Sequence, residues 1–191
     1  MAVDMSKHAN FKRRKNDAYF TWDRKAIPPL LLHLKPKTNF CEPCAGAGHL
    51  INQLEDAGHY CWSAYDIEPQ GPFIIEKDAM DIAETAADLF ITNPPWTRSI
   101  LHPLITHLAS IKPTWLLFDA DWMHNLSSKQ YLKHCVKILS TPRLKWIEGT
   151  DQAGKDNCAW YLFDINHESY PTMFGRSDCG IPADLFVLKN E

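Results

Sequence analysis

Asn93-Pro94-Pro95-Trp96 follows directly on the apolar run Leu89–Thr92. Two consecutive prolines can neither extend a strand ladder nor open an ordinary helix, so they hold a rigid, extended turn. Such a turn aims the Asn93 amide oxygen and the Pro94 carbonyl in fixed directions. Two acceptors held this way can receive both hydrogens of an –NH2 group, and Trp96 offers a face on which a planar base can stack. A second stretch, Glu42-Pro43-Cys44-Ala45-Gly46-Ala47-Gly48, closes the run Asn39–Glu42. Gly46 and Gly48 allow the backbone to approach a ligand closely. Glu42 would repel a phosphate and suits a cation, such as the ammonium of an amino-acid moiety. In a third stretch, Tyr65-Asp66-Ile67-Glu68-Pro69, Asp66 lies eighteen residues after Gly48. An acid so placed can accept both ribose hydroxyls of an adenosyl group. Ile67 can pack on the adenine face, and Asp78 can reach its amino group.

The elements that must position these residues alternate between strand and helix. Strands are expected at Asn39–Glu42, Tyr60–Asp66, Phe73–Ile75, Leu89–Thr92 and Thr114–Phe118. Helices are expected at Ala26–Leu34 (with Pro28 and Pro29 in its first turn), Gly48–Ala57, Asp81–Ala87 and Ser99–Ser110. Ser127–Leu139 has Tyr131, Leu132, Cys135, Val136 and Leu139 at helical spacing and is expected to be an amphipathic helix. Two β-rich segments follow, Leu144–Glu148 and Ala159–Asp164, joined by the polar loop Gly149–Asn157. From Asn166 the chain reads as irregular, with a terminal strand at Leu185–Leu188. Strands alternating with helices argue for a doubly wound α/β sheet that is mostly parallel, closed by an antiparallel C-terminal pair. In such sheets ligands bind beyond the carboxyl ends of the strands, which is where all three stretches fall.

With 191 residues, 45% hydrophobic and 23% charged, the chain can bury a core and does not read as disordered. No apolar run approaches the ~18–20 residues of a membrane helix. The first twenty residues are basic without an apolar stretch and do not read as a signal peptide. A cytoplasmic protein is therefore expected. The net charge of −3 hides an asymmetry: residues 1–37 carry nine Lys/Arg against three Asp, a net +6, and the rest is net −9. Lys12, Arg13, Arg14 and Lys15 make residues 1–16 a basic, flexible arm that suits either a nucleic-acid contact or a solvated tail. Six cysteines show no even framework, so no disulfide scaffold is expected. Cys41-x-x-Cys44 stands without a second pair, so no metal site is expected. Trp115, Trp146 and Trp160 read as core residues, whereas Trp122 suits cleft lining and packing equally.

Glu42-Pro43-x-x-Gly46-x-Gly48 followed by Asn93-Pro94-Pro95-Trp96 resembles the class I S-adenosylmethionine-dependent amino-methyltransferases. Asp17-x-Tyr19-x-Thr21 is similar to that family's cofactor-lining N-terminal motif. Pro142-Arg143-Leu144 with Cys158-Ala159-Trp160-Tyr161-Leu162-Phe163 resembles small phage-type adenine methyltransferases, and the motif order resembles the gamma arrangement. The resemblance implies a Rossmann-like, mostly parallel seven-stranded sheet and S-adenosylmethionine as cofactor. It implies in-line methyl transfer to an exocyclic amine of a base, adenine N6 in DNA first, with no general base required. RNA adenine, cytosine N4 and protein glutamine are the alternative substrates, and a non-catalytic binding subunit is the alternative of another class. A target base inside a duplex must be flipped out, whereas a single strand avoids that cost. Residues 17–191 read as one catalytic domain without a separate recognition domain, so weak sequence preference is expected, with a homodimer or a specificity partner to supplement it.

Overall fold

The computed structural model describes residues 19–149, 154, 156–167 and 169–175. The expected arm at 1–16, Asp17 and the terminal strand at Leu185–Leu188 lie outside the described residues. The described chain builds a sheet of eight strands, β1 (Asn39–Glu42), β2 (Tyr60–Asp66), β3 (Ile75–Glu76), β4 (Leu89–Thr92), β5 (Thr114–Asp119), β6 (Cys135–Ser140), β7 (Cys158–Phe163) and β8 (Thr172–Phe174). They run in the order β3-β2-β1-β4-β5-β7-β6-β8. Of these eight only β7 is reversed: it pairs antiparallel with β5 on one side and β6 on the other, and β8 lies parallel to β6.

The sheet is buried on both faces because apolar residues occupy successive positions, as covered parallel sheets require. Phe40, Ile91, Trp115 and Leu117 face a core closed by α1 (Ile27–Leu31) and α2 (His49–Asp56), which contribute Leu30, Leu50 and Leu54. Cys41, Phe90, Leu116 and Phe118 face the other, closed by α3 (Arg98–Ile111) through Leu101, Leu104, Ile105 and Leu108. Trp160 is fully buried in the first core, and its indole N–H donates to the Ala26 carbonyl at 2.7 Å. Trp115 is buried as expected.

Several expected elements take other forms. The stretch expected as a long helix at 127–139 is a four-residue helix, α4 (Lys129–Leu132), followed by β6. Cys135, Ile138 and Leu139 stand at helical spacing, but pairing with β7 and β8 overrides it, and a register shift between Cys135 and Lys137 accommodates Cys135 and Ile138 in the same core. Asp81–Ala87 is not helical. A single 3-10 turn at Ala79–Asp81 is capped by Asp78, and Thr85 Oγ1 accepts from Ala87 N at 3.1 Å, a local bond that competes with a helix. Leu144–Glu148 forms no strand, because Lys145 N donates to Asp23 Oδ2 at 2.9 Å instead of to a ladder. The first helix is split into a 3-10 turn, Arg24–Ala26, and α1. The segment from Asn166 expected to be irregular supplies β8. The expected seven strands are therefore eight, and the antiparallel partner of β7 on that side is β6.

Among the described residues no helix is long and apolar enough to cross a membrane.

Candidate active site

The strand order reverses between β1 and β4, which both lead away from a shared parallel boundary. Connections from such neighbours diverge to opposite faces and open a crevice beyond their carboxyl ends. Glu42 ends β1, Asp66 ends β2, and Asn93 immediately follows β4. All three line one cavity of about 390 Å3.

Glu42 is 2% exposed, and its Oε2 has no hydrogen-bond partner. Burial, reinforced by the nearby Asp66 charge, pushes its carboxyl well above the usual range. A buried carboxylate oxygen without a partner is costly, and a cation entering the cavity would remove that cost. Thr21 Oγ1, on the same cavity, is likewise buried and unpartnered.

The turn after Pro43 is held by one backbone and one side-chain bond to β2: Ala45 N donates to Tyr65 O at 2.8 Å and Gly46 N to Asp66 Oδ2 at 2.7 Å. Gly46 and Gly48 have φ of +55° and +81°, the left-handed region that favours glycine. Gly48 then starts α2. A Cβ on Gly46 would collide with the Phe20 ring. Gly46→Ala is therefore expected to cost about 1–3 kcal/mol from the backbone strain alone, with a further loss from displaced Phe20. Thermal unfolding of the variant against wild type measures it; an unchanged Tm would contradict the close packing.

Asp66 is placed where the sequence suggests, with a further task. Its Oδ2 takes the Gly46 N–H and its Oδ1 the Glu68 N–H at 2.8 Å, so the carboxylate clips two turns together. Asp78 lines the cavity and caps the turn at Ala79–Asp81 by accepting from Met80 N at 2.9 Å. Ile67 lines the cavity and is 61% exposed, leaving its side chain open to a planar group.

The Asn93 amide is oriented from both ends. Its Nδ2 donates to the Tyr19 carbonyl at 2.8 Å, and its Oδ1 accepts from Trp96 Nε1 at 3.1 Å. Pro94 is buried, and Pro95 lines the cavity. Trp96 is half-buried and meets Trp146 edge-on, with centroids 5.4 Å apart. Trp146, expected in the core, is only half-buried and packs beside this loop. Trp122 is core: it is 2% exposed and donates to His102 Nε2 at 3.0 Å.

Tyr19, Phe20 and Thr21 join the two halves of the site. Phe20 lies on Gly46, Tyr19 O receives Asn93, and Gln53 Nε2 donates to Thr21 O at 2.7 Å. Tyr19 and Thr21 are expected from the sequence, whereas Phe20 is not. Nor are Glu68 and Gln70 beyond β2, or Ser99, Pro103 and Leu104 on α3, all of which line the cavity. Pro103 inside α3 was the available signal, because it lacks the N–H that would meet the Ser99 carbonyl. The cluster Lys12–Lys15 lies outside the described residues.

The cysteines of the Cys-x-x-Cys pair are thiols rather than thiolates. Burial pushes Cys41 up to about 11, and burial with the Asp66 and Glu42 charges pushes Cys44 higher. Among the described residues no three His, Cys, Asp or Glu side chains group as metal ligands.

No protein-family model matches this chain. No curated protein matches it either. Solved structures do. A Listeria monocytogenes protein described as a class I S-adenosylmethionine-dependent methyltransferase aligns with a TM-score of 0.56 at 15% identity, over 83% of this chain and 65% of its own length. A Pyrococcus horikoshii protein described as an RNA methyltransferase aligns with a TM-score of 0.54 at 16% identity, over 84% of this chain and 93% of its own. The chain thus spans just under two thirds of the first relative and nearly all of the second. At such identities the likeness establishes the architecture: this chain has the Rossmann-like fold of the class I methyltransferases.

Proposed function

We propose that this chain is an S-adenosylmethionine-dependent methyltransferase acting on the exocyclic amine of a nucleic-acid base, adenine N6 in DNA first. The observation that carries this reading is that one cavity holds both the unpartnered buried carboxylate of Glu42 and the oriented amide of Asn93. The first suits the ammonium of the cofactor's amino-acid end. Gly46 brings the backbone close to it, and Asp66, Ile67 and Asp78 suit the ribose and adenine. When bound, the cofactor supplies an electrophilic sulfonium methyl group.

Asn93 Oδ1 and the Pro94 carbonyl accept the two N–H bonds of the target amine. That favours a more sp3-like nitrogen whose lone pair is free to attack. The amine loses its proton only after it has been methylated, so orientation and fixed dipoles carry the catalysis. Trp96 beside Asn93 supplies an aromatic surface for the base. The basic cluster Lys12–Lys15 holds phosphates. Replacing Lys12, Arg13, Arg14 and Lys15 together by Ala is expected to weaken DNA binding about equally for all sequences and to reduce the salt slope by about 3. Titrations at several salt concentrations measure both quantities, and an unchanged slope would show that the arm is only a solvated tail.

Purified protein incubated with methyl-labelled S-adenosylmethionine and single-stranded DNA, duplex DNA, RNA or protein tests the reading. Nucleoside mass spectrometry of the labelled product is expected to show N6-methyladenine in DNA. Label confined to RNA would move the substrate, label confined to protein would remove nucleic acid from the assignment, and no transfer would leave only the fold.

A further inference from the structure

Between β6 and β7 the described residues, 141–149, 154, 156 and 157, form no helix or strand, yet they are pinned in place. Leu144 is fully buried, Lys145 N donates to Asp23 Oδ2 at 2.9 Å, and Gly154 N donates to Leu144 O at 2.8 Å. These bonds present one side chain, Trp146, to the loop that carries Asn93. Trp146 stands edge-on to Trp96 at an interplanar angle of 88°. The Gly154 backbone also lies against the indole: a Cβ on Gly154 would stand 2.6 Å from Trp146 Cδ1.

We propose that Trp146 is a positioning residue for Asn93, acting through Trp96. The Asn93 amide can turn about its terminal torsion, which is broad for an sp3–sp2 bond. Two hydrogen bonds stop it, and the one on the oxygen comes from Trp96 Nε1. That donor is in place only while the Trp96 ring keeps its orientation, and the edge-on partner that fixes the orientation is Trp146. Gly154 leaves the room that Trp146 needs. The β6–β7 connection therefore sets the direction of the acceptor oxygen although none of its described residues lines the cavity. The consequence for turnover rests on the proposed function, whereas the positioning itself does not.

The test uses the full chain, isotope-labelled, in nuclear magnetic resonance. In Trp146→Ala the Asn93 side-chain amide and the Trp96 indole N–H signals are expected to shift, and their hydrogen exchange to accelerate at least tenfold. The Trp160 indole N–H, held on the Ala26 carbonyl in the core, serves as the control and is expected to stay. Trp146→Phe keeps an aromatic edge and is expected to restore most of the protection. Gly154→Ala, which crowds the Trp146 ring, is expected to shift the same two signals without deleting the side chain. In turnover, Trp146→Ala is expected to lower kcat about tenfold with KM and the cofactor Kd within twofold, and Trp96→Phe is expected to abolish most of that difference. Asn93 and Trp96 signals that superimpose on those of wild type in Trp146→Ala would overturn the proposal. So would a loss of Trp160 protection in both Trp146→Phe and Gly154→Ala, which would mark a general packing defect. A wild-type chain without transferase activity would defeat the proposed function and leave the positioning to be decided by these signals.

Discussion

Asn93→Ala is expected to lower kcat by about two to three orders of magnitude while the Kd for S-adenosylmethionine changes less than tenfold. The magnitude is that of removing one preorganised acceptor or donor from the centre where charge develops. The Asn93 amide is held at 2.8 Å on Tyr19 O and at 3.1 Å by Trp96 Nε1, so its oxygen is aimed before the substrate arrives. The proposed cofactor contacts centre on Glu42, the glycine turn and Asp66, on the β1 and β2 side of the crevice, and are expected to survive the change. Some weakening is expected because the Tyr19 backbone loses its Asn93 donor. Single-turnover rates with separately measured cofactor binding divide the two effects. A variant keeping a tenth or more of the wild-type rate would remove Asn93 from the chemistry.

Glu42→Gln is expected to act in opposite directions on the free protein and on the complex. In the free fold, burial and the Asp66 charge raise the Glu42 carboxyl well above its unfolded value. Such a group contributes stability that is fully present below the unfolded value, about 4.3, and is lost as pH rises towards the folded one. A glutamine side chain carries no charge to bury, so the variant is expected to match wild type near pH 4 and to unfold at a higher temperature at pH 8. In the complex an ammonium favours the ionised carboxylate. Wild-type affinity should therefore rise with pH over the same window, with release of a proton. Losing a hydrogen bond to a charged group costs about 1.5–3 kcal/mol, or roughly ten- to a hundredfold in Kd at pH 8. Calorimetry in buffers of different ionisation enthalpy reads the proton directly. Equal affinity of the Glu42→Gln variant and wild type would refute the ammonium assignment.

Much of the site was legible because its residues are tied to local geometry. Glu42, Asp66 and Asn93 sit at or just past strand ends whose apolar runs are unmistakable, and β2 and β4 span the residues expected of them. The left-handed turns at Gly46 and Gly48 need glycine, so the sequence announces them. Phe20, Ser99 and Leu104 were not legible, because they line the cavity only through packing of segments far apart in the chain. Trp146 read as core since an aromatic in an apolar stretch does not reveal which neighbour it meets.

The sequence by itself determined strands β1, β2, β4 and β5 with the helices α2 and α3 between them, and the placing of a carboxylate, a glycine turn and an Asn-Pro-Pro corner at the strand ends. Those features follow from side-chain period, proline's missing N–H and glycine's freedom at positive φ, all properties of a few adjacent residues. Tertiary structure alone decided that 135–140 is a strand, because its apolar spacing reads as helical and only pairing with β7 and β8 overrides it. It alone decided the direction of the Asn93 amide, because that direction is set by a carbonyl 74 residues away and by an indole braced from a loop beyond β6.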